Sequence, residues 1–203
     1  MHKARIAVLV SGGGTNLQAI LDAKQAGKLP HVEIALVAAS NPRAYALERA
    51  EKAGVARAVV QKARDEEITA YGERLLAVLQ DHGIQLVVLA GFLTILPENV
   101  IAAYDHRILN IHPSLIPSFC GQGFYGLRVH EAALARGVKL TGATVHFVNE
   151  IPDGGDIIAQ KAVAVLPGDT PQTLQRRVME EAEWLLLPQA LEDVAKKLSE
   201  GDC

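Results

Sequence analysis

An asparagine and a histidine stand two positions apart where an apolar segment gives way to a loop. These are Asn110 and His112, with Pro113 directly after them. Residues two apart in a strand share one face, so the amide and the imidazole are predicted to lie side by side. An amide can donate hydrogen bonds to an oxyanion, and an imidazole exchanges protons near neutral pH. The pair could therefore stabilise an anion and move a proton; a strand-end histidine that only caps backbone groups is the alternative.

A glycine-rich turn, Gly12–Gly14, separates the first apolar run from the first amphipathic stretch. Glycine permits positive φ and close approach of a ligand, and a helix N-terminus offers free N–H groups, so a phosphate is the expected occupant. A dinucleotide fingerprint would need glycine where Leu17 stands, and a Walker loop would need Lys-Ser/Thr in place of Thr15-Asn16. The turn therefore suits a phosphomonoester better than NAD or ATP. Thr15 could instead serve only as the helix N-cap.

The elements that must position these residues alternate along most of the chain. Predicted strands are Ile6–Val10, Val32–Ala39, Ala56–Val60, Leu86–Ala90 and Ile108–Ile111, and predicted helices are Thr15–Ala26, Arg43–Ala53, Asp65–His82, Glu98–Tyr104 and Leu127–Arg136. Such alternation predicts an α/β fold: a doubly wound, mostly parallel sheet of about seven strands with helices on both faces. Asn110 and His112 would lie at the carboxyl edge of this sheet, where ligands bind in open α/β folds.

The last third of the chain follows a different pattern. Thr144–Asn149 and Asp156–Val165 are separated by a turn with proline and glycines, which predicts an antiparallel hairpin closing the sheet. A final helix is predicted from about Pro171 to Leu198, and Pro188 should kink or break it. Neither a repeat nor a linker interrupts the chain, so residues 1–203 are predicted to form a single domain.

The composition limits the classes of molecule that the protein is expected to bind. The net charge of −3 gives no basic footprint for nucleic acid. The sequence shows neither an apolar stretch of membrane-spanning length nor the h-region of a signal peptide, so we expect a cytoplasmic protein without nucleic-acid or membrane partners. Cys120 and Cys203 belong to no paired metal-ligand spacing, and no metal is expected. His146 stands among apolar neighbours and is predicted to be a hydrogen-bonded core residue.

Several segments together resemble the folate-dependent formyltransferases. They are Asn110–Pro117, Ser11–Leu17, Val87–Leu93, Gly142–Val148 and Asp153–Gly155. The resemblance covers nearly the whole chain and implies the Rossmann-like formyltransferase fold. Within that family the Ser11–Leu17 segment is similar to the enzymes that formylate glycinamide ribonucleotide. The resemblance thus implies transfer of a formyl group from 10-formyltetrahydrofolate, as co-substrate, to the amine of glycinamide ribonucleotide in purine biosynthesis.

The resemblance also implies roles for individual residues. The family's catalytic positions fall on Asn110, His112 and Asp153. Its phosphate and ribose contacts fall on Gly14, Thr15, Asn16 and, if one extra residue is allowed before it, Glu183. Its folate contacts fall on Leu93, Thr94, Ile95 and Leu96, with Asn110. Within the single domain, about 1–105 is expected to be the phosphate-binding half and about 106–203 the catalytic and folate-binding half. Asp153 is expected to raise the pKa of His112 by charge proximity.

Three departures from the family pattern are visible. Thr94 stands where an arginine often sits. Ile68 stands where a folate-contacting arginine is expected, and Arg64 is close enough to substitute for it. The loop of residues 118–126 is longer than in the commoner form. Its glycines make it a candidate lid that would exclude water from the reaction. A surface loop unrelated to the site is the alternative.

Three other functions compete with this expectation. A 10-formyltetrahydrofolate hydrolase would use the same cluster with water as acceptor, usually behind an N-terminal regulatory domain. A methionyl-tRNA formyltransferase would need a further C-terminal domain and a basic surface. A non-catalytic module that binds a phosphorylated metabolite would bind ligand without turnover. The chain is expected to work as a monomer or a homodimer on small-molecule substrates.

Overall fold

A computed structural model describes residues 3–201, so Cys203 lies outside the described part. Its strands are β1 (Ala4–Val10), β2 (Val32–Ala39), β3 (Ala56–Val59), β4 (Leu86–Leu89), β5 (Ile108–His112), β6 (Leu140–Phe147) and β7 (Ile157–Ala164). They form a seven-stranded sheet in the order β3-β2-β1-β4-β5-β6-β7. The pairs β1–β2, β1–β4 and β2–β3 are parallel, and β6–β7 is antiparallel. The predicted fold class is confirmed, including the C-terminal hairpin.

The helices are α1 (Thr15–Gln25), α2 (Ala46–Lys52), α3 (Ile68–Asp81), α4 (Glu98–Ala103), α5 (Leu127–Arg136), α6 (Pro171–Val178) and α7 (Trp184–Glu200). Each predicted helix exists, but α2 and α3 begin three residues later than predicted, at Ala46 and Ile68. The first hairpin strand begins earlier than predicted, because Leu140 already pairs with Ala164. Among the described residues, no helix is both long and apolar enough to cross a membrane.

Two compact units divide the described chain. One runs to Leu109 and resumes at Leu191; the other is Asn110–Ala190. In the first unit, β1 and β4 are almost wholly buried apolar runs, as expected for central strands covered on both faces. In the second unit, β6 is largely buried while β7 is mostly exposed, as expected for an edge strand.

The predicted break of the last helix at Pro188 is wrong, while a kink there stays a prediction. Helix α7 continues through Pro188, and the irregularity is a π-helical turn immediately before it, Met179–Glu183. A proline ring clashes with the carbonyl four residues earlier, which here belongs to Trp184. Trp184 directly follows the π-helical turn, so the ring lies next to a segment of helix that is already widened.

Candidate active site

Strand β5 presents the two residues that its sequence singles out. Its apolar members Ile108, Leu109 and Ile111 are buried, and they anchor the strand in the core. His112 ends the strand and is 4% exposed, while Asn110 is half-buried. The two side chains therefore share one face at the carboxyl end of β5, as the spacing predicts.

The turn between β6 and β7 brings Asp153 to the same place. Asp153 has a φ of 56°, a left-handed conformation that aspartate tolerates better than most residues. A Cβ on Gly155 would lie 1.9 Å from the Phe147 carbonyl oxygen, so only glycine permits this tight turn. The Asn110 amide nitrogen lies 3.4 Å from Asp153 Oδ1, and His112 Nδ1 lies 3.4 Å from Oδ2. The structure thus joins the three residues that the resemblance selects.

His146 on β6 is a fourth member of this cluster. Its Nδ1 lies 2.7 Å from the Phe147 carbonyl, which can only accept, so Nδ1 carries the proton. In the neutral ring Nε2 is then an acceptor, 3.1 Å from the Asn110 amide nitrogen. The predicted buried, hydrogen-bonded state is confirmed, but sequence reasoning missed the partner. Only the place of β6 beside β5 in the sheet reveals it.

Burial and charge act in opposite directions on the two titrating groups. Burial lowers the pKa of His112 below its usual value, although Asp153 and the Phe119 carbonyl oppose the change. The expected raised pKa is therefore wrong in net direction, while the contribution of Asp153 has the expected sign. Burial alone would raise the pKa of Asp153, but His146, His112 and the Gly121 N–H lower it overall. The contribution of His146 applies to the form in which its Nε2, 3.5 Å from Asp153 Oδ1, carries a proton. Near neutral pH the cluster holds a carboxylate beside a neutral imidazole.

The loop of residues 118–126 contacts this cluster through its backbone. His112 Nε2 donates to the Phe119 carbonyl at 2.9 Å, and the Gly121 N–H donates to Asp153 Oδ2 at 2.8 Å. Phe119 adopts a positive φ of 51° where it makes this contact. The loop is therefore attached to the cluster, which the alternative of an unrelated surface loop does not predict. Movement of the loop as a lid stays a prediction.

The glycine-rich turn lies in the first unit. Gly14, at a φ of 70°, is the N-cap of α1, so Thr15 is the first helical residue and not the cap. A Cβ on Gly14 would lie 2.6 Å from the Ala46 Cβ, which excludes a larger residue. Asn16 is buried in the first turn of α1. Backbone N–H groups at this helix start can receive an anion.

The segment predicted to contact folate adjoins this turn. The Leu93 N–H donates to Ser11 Oγ at 2.9 Å, and the Ser11 N–H donates to the Gly91 carbonyl at 3.1 Å. Leu93 and Ile95 are 65% and 77% exposed, whereas Leu96 is buried. Thr94 is half-buried between the two exposed side chains. Two exposed apolar side chains on one segment suit the covering of a flat, largely apolar ligand.

The remaining predicted residues lie apart from these groups in the chain. Arg64 is exposed in the turn before α3, and Ile68 is 42% exposed as the first residue of that helix. Glu183 is 6% exposed and ends the π-helical turn. A π-helical turn holds one residue more than an α-helical one. Glu183 thus ends a turn with one additional residue, and its role in holding the ribose stays a prediction.

No group of three or more histidine, cysteine, aspartate or glutamate side chains within residues 3–201 is placed to hold a metal ion. Cys120 is a free thiol in the loop of residues 118–126.

Comparison with known proteins decides the family. The family model described as formyl transferase matches residues 4–191. The chain belongs to this family. A chloroplastic phosphoribosylglycinamide formyltransferase from Arabidopsis thaliana is 39% identical over 181 residues, which are 89% of this chain and 62% of that protein. The chain therefore spans less than two thirds of that relative's length.

Further members of the formyl transferase family are matched more completely. A phosphoribosylglycinamide formyltransferase from Haemophilus influenzae is 38% identical over 91% of this chain and 84% of its own length. The crystal structure of glycinamide ribonucleotide transformylase 1 from Symbiobacterium toebii is 44% identical, with a TM-score of 0.89, over 96% of this chain and 89% of that one. The formyl transferase fold is thus shared along almost the whole chain.

Proposed function

We propose that this protein transfers the formyl group of 10-formyltetrahydrofolate to the amine of glycinamide ribonucleotide, giving formylglycinamide ribonucleotide and tetrahydrofolate in purine biosynthesis. The observation that carries the proposal is the cluster of Asn110, His112, His146 and Asp153. The chain that forms this cluster belongs to the formyl transferase family. The names of the relatives support glycinamide ribonucleotide as the acceptor.

Asn110 stabilises the charge that develops on the formyl oxygen. The acceptor amine attacks the formyl carbon and forms a tetrahedral intermediate with an oxyanion. One N–H of the Asn110 amide is directed to His146 at 3.1 Å, and the amide also donates a longer bond of 3.4 Å to Asp153 Oδ1. The oxyanion takes the place of Asp153 as the acceptor of that longer bond. Donors fixed before the reaction stabilise such an anion without reorganising.

His112 and Asp153 carry out the transfer of the proton from the attacking amine to the folate nitrogen. The attacking nitrogen loses one proton, and the folate nitrogen gains one as its bond to the formyl carbon breaks. The neutral imidazole can accept a proton at Nδ1, because Nε2 carries the one donated to Phe119. A water held by Asp153 relays the proton, and the carboxylate, 3.4 Å from Nδ1, stabilises the imidazolium that forms.

The binding residues follow the family pattern. The phosphate is received by Gly14, Thr15 and Asn16 at the start of α1, where the N–H groups of the first helical turn and the helix dipole favour an anion. Glu183 holds the ribose hydroxyls. The folate lies against Leu93–Leu96, with Arg64 supplying the positive charge that Ile68 lacks.

One assay tests this function against its rivals. The protein is mixed with 10-formyltetrahydrofolate with and without glycinamide ribonucleotide, and release of tetrahydrofolate is measured. We expect release only when the amine is present. Equal release without the amine would indicate a hydrolase, and binding of the ribonucleotide without any release would indicate a metabolite-binding module.

A further inference from the structure

Arg49 on α2 holds the glycine-rich turn from its side. Its Nε donates to the Gly13 carbonyl at 2.8 Å, and its Nη1 donates to Gln18 Oε1 on α1 at 2.8 Å. The guanidinium also lies over the ring of Tyr45, 5.0 Å from its centroid. Three contacts thus fix one planar, permanently charged group against the turn and both flanking helices.

The contact with Gly13 sets the direction of the next N–H. The peptide joining Gly13 to Gly14 is trans, and in a trans peptide the N–H points away from the carbonyl. Because Arg49 holds the carbonyl towards α2, the Gly14 N–H is turned away from α2. This N–H belongs to the N-cap of α1, at the end of the helix that attracts anions.

The start of α2 packs against the same turn. The Ala46 N–H donates to the Gly12 carbonyl at 3.1 Å, and Ala46 fills the space that a Cβ on Gly14 would need. Helix α2 therefore supports two successive carbonyls of the turn, one with a backbone N–H and one with the guanidinium. Only the second support carries a charge.

We propose that Arg49 is a positioning residue that makes the glycine-rich turn selective for a phosphorylated acceptor. It does so by fixing the turn with the Gly14 N–H directed away from α2 and by adding positive charge to the turn. The inference deepens the proposed function and rests on it. It assigns to a side chain on α2 part of the discrimination between an acceptor with a phosphate and the same acceptor without one.

The test compares two acceptors in Arg49→Met: glycinamide ribonucleotide and its dephosphorylated riboside. We expect the KM for the ribonucleotide to rise about tenfold, a typical effect of losing one charge-assisted contact. The kcat, the KM for 10-formyltetrahydrofolate and kcat/KM for the riboside should stay within about twofold, an energy difference below 0.5 kcal/mol. Arg49→Lys keeps the charge without the fixed geometry and should fall between the parent and Arg49→Met.

Arg57→Met is the matched control. Arg57 is also in the first unit but donates to Glu51 at 2.8 Å and not to the turn, so its loss should leave all these constants unchanged. An unchanged KM in Arg49→Met, or an equal loss with both acceptors, overturns the role in phosphate selection. If the parent protein turns over neither acceptor, the proposed function fails instead. Inhibition of ribonucleotide binding by inorganic phosphate, weaker in Arg49→Met than in the parent, then still measures the role of Arg49.

Discussion

In its neutral form His146 accepts a hydrogen bond from Asn110, with 3.1 Å between Nε2 and the amide nitrogen, and so fixes which end of the amide can donate. An asparagine amide can be turned by half a rotation with little change in shape. The Phe147 carbonyl fixes the tautomer of His146, and His146 in turn fixes Asn110. The orientation of the donor that we propose for the oxyanion is thus set by a backbone carbonyl two groups away.

Replacing His146 should therefore reduce the rate of the chemical step more than substrate binding. In His146→Phe the amide loses its fixed orientation, and we expect kcat to fall about tenfold to a hundredfold, short of the loss for removing an oxyanion donor outright. Both KM values should change little. His146→Gln keeps an acceptor and should recover part of kcat. Circular dichroism checks that the fold is intact, and a loss confined to KM would contradict the role.

The pH dependence of kcat/KM should reflect the lowered pKa of His112. Protonated His112 cannot accept the proton of the attacking amine, so activity is lost as the pH falls through this pKa. Because burial lowers the pKa, the midpoint of the acid limb should lie below 6.5. In Asp153→Asn the opposing charge is removed, so the midpoint should move lower still, while kcat falls about a hundredfold. An acid limb centred above 6.5 in the parent would contradict this assignment.

The side-by-side placement of Asn110 and His112 could be predicted, because it depends only on the two-residue period of a strand. Asp153 could not be placed in the same way. It reaches them through the hairpin of β6 and β7, whose pairing joins residues far apart in sequence. The glycines after Asp153 did indicate a tight turn. They did not indicate that the turn faces β5.

The pKa of His112 and the π-helical turn show a second limit. The sign of the Asp153 contribution follows from charge alone, but the net direction depends on how deeply His112 is buried, which is a property of the packed fold. An extra residue of an ordinary helical type gives no sign of itself in the sequence of a helix. Only the hydrogen-bond pattern of Met179–Glu183 reveals where it is accommodated.

Gly14→Ala should disturb the glycine-rich turn beyond the ordinary cost of a positive φ. Gly14 and Gly27 have nearly equal φ values of 70° and 72°, but only at Gly14 would a Cβ meet another atom, Ala46 Cβ at 2.6 Å. Gly27→Ala should therefore cost about 1 kcal/mol of unfolding free energy, and Gly14→Ala clearly more. Gly14→Ala should also raise the KM for glycinamide ribonucleotide. Urea unfolding and steady-state kinetics compare the two, and equal effects would contradict the packing argument.

The contact of Asp169 with Arg177 should stabilise the folded protein at neutral pH and stabilise it less in acid. Both ends of the Arg177 guanidinium donate to its carboxylate at 2.6 Å, and this contact holds the pKa of Asp169 well below its usual value. A lowered folded-state pKa stabilises fully above the unfolded pKa of about 3.9 and less as the pH falls further.

We expect Asp169→Asn to lose about 1–3 kcal/mol of unfolding free energy at neutral pH, as for hydrogen bonds to charged groups. The difference from the parent should shrink in acid. Arg176→Gln, which removes the exposed pair with Glu180, serves as control and should leave stability close to that of the parent. A difference between Asp169→Asn and the parent that grows in acid would contradict the sign.

The π-helical turn should tolerate loss of the residue that it accommodates. Deleting exposed Glu181 is expected to convert Met179–Glu183 into an α-helical turn and leave both flanking helices in register. Deleting Arg176, equally exposed but within α6, should instead turn buried Leu174 about 100° out of line with Val178, since each α-helical residue turns the chain by that angle. Thermal unfolding should separate the two deletions, with only the second strongly destabilised.

If Glu183 holds the ribose, the Glu181 deletion should keep a near-parent KM for glycinamide ribonucleotide, and a further Glu183→Ala change should raise that KM about tenfold. Equal unfolding of both deletions would show that the extra residue is not accommodated locally.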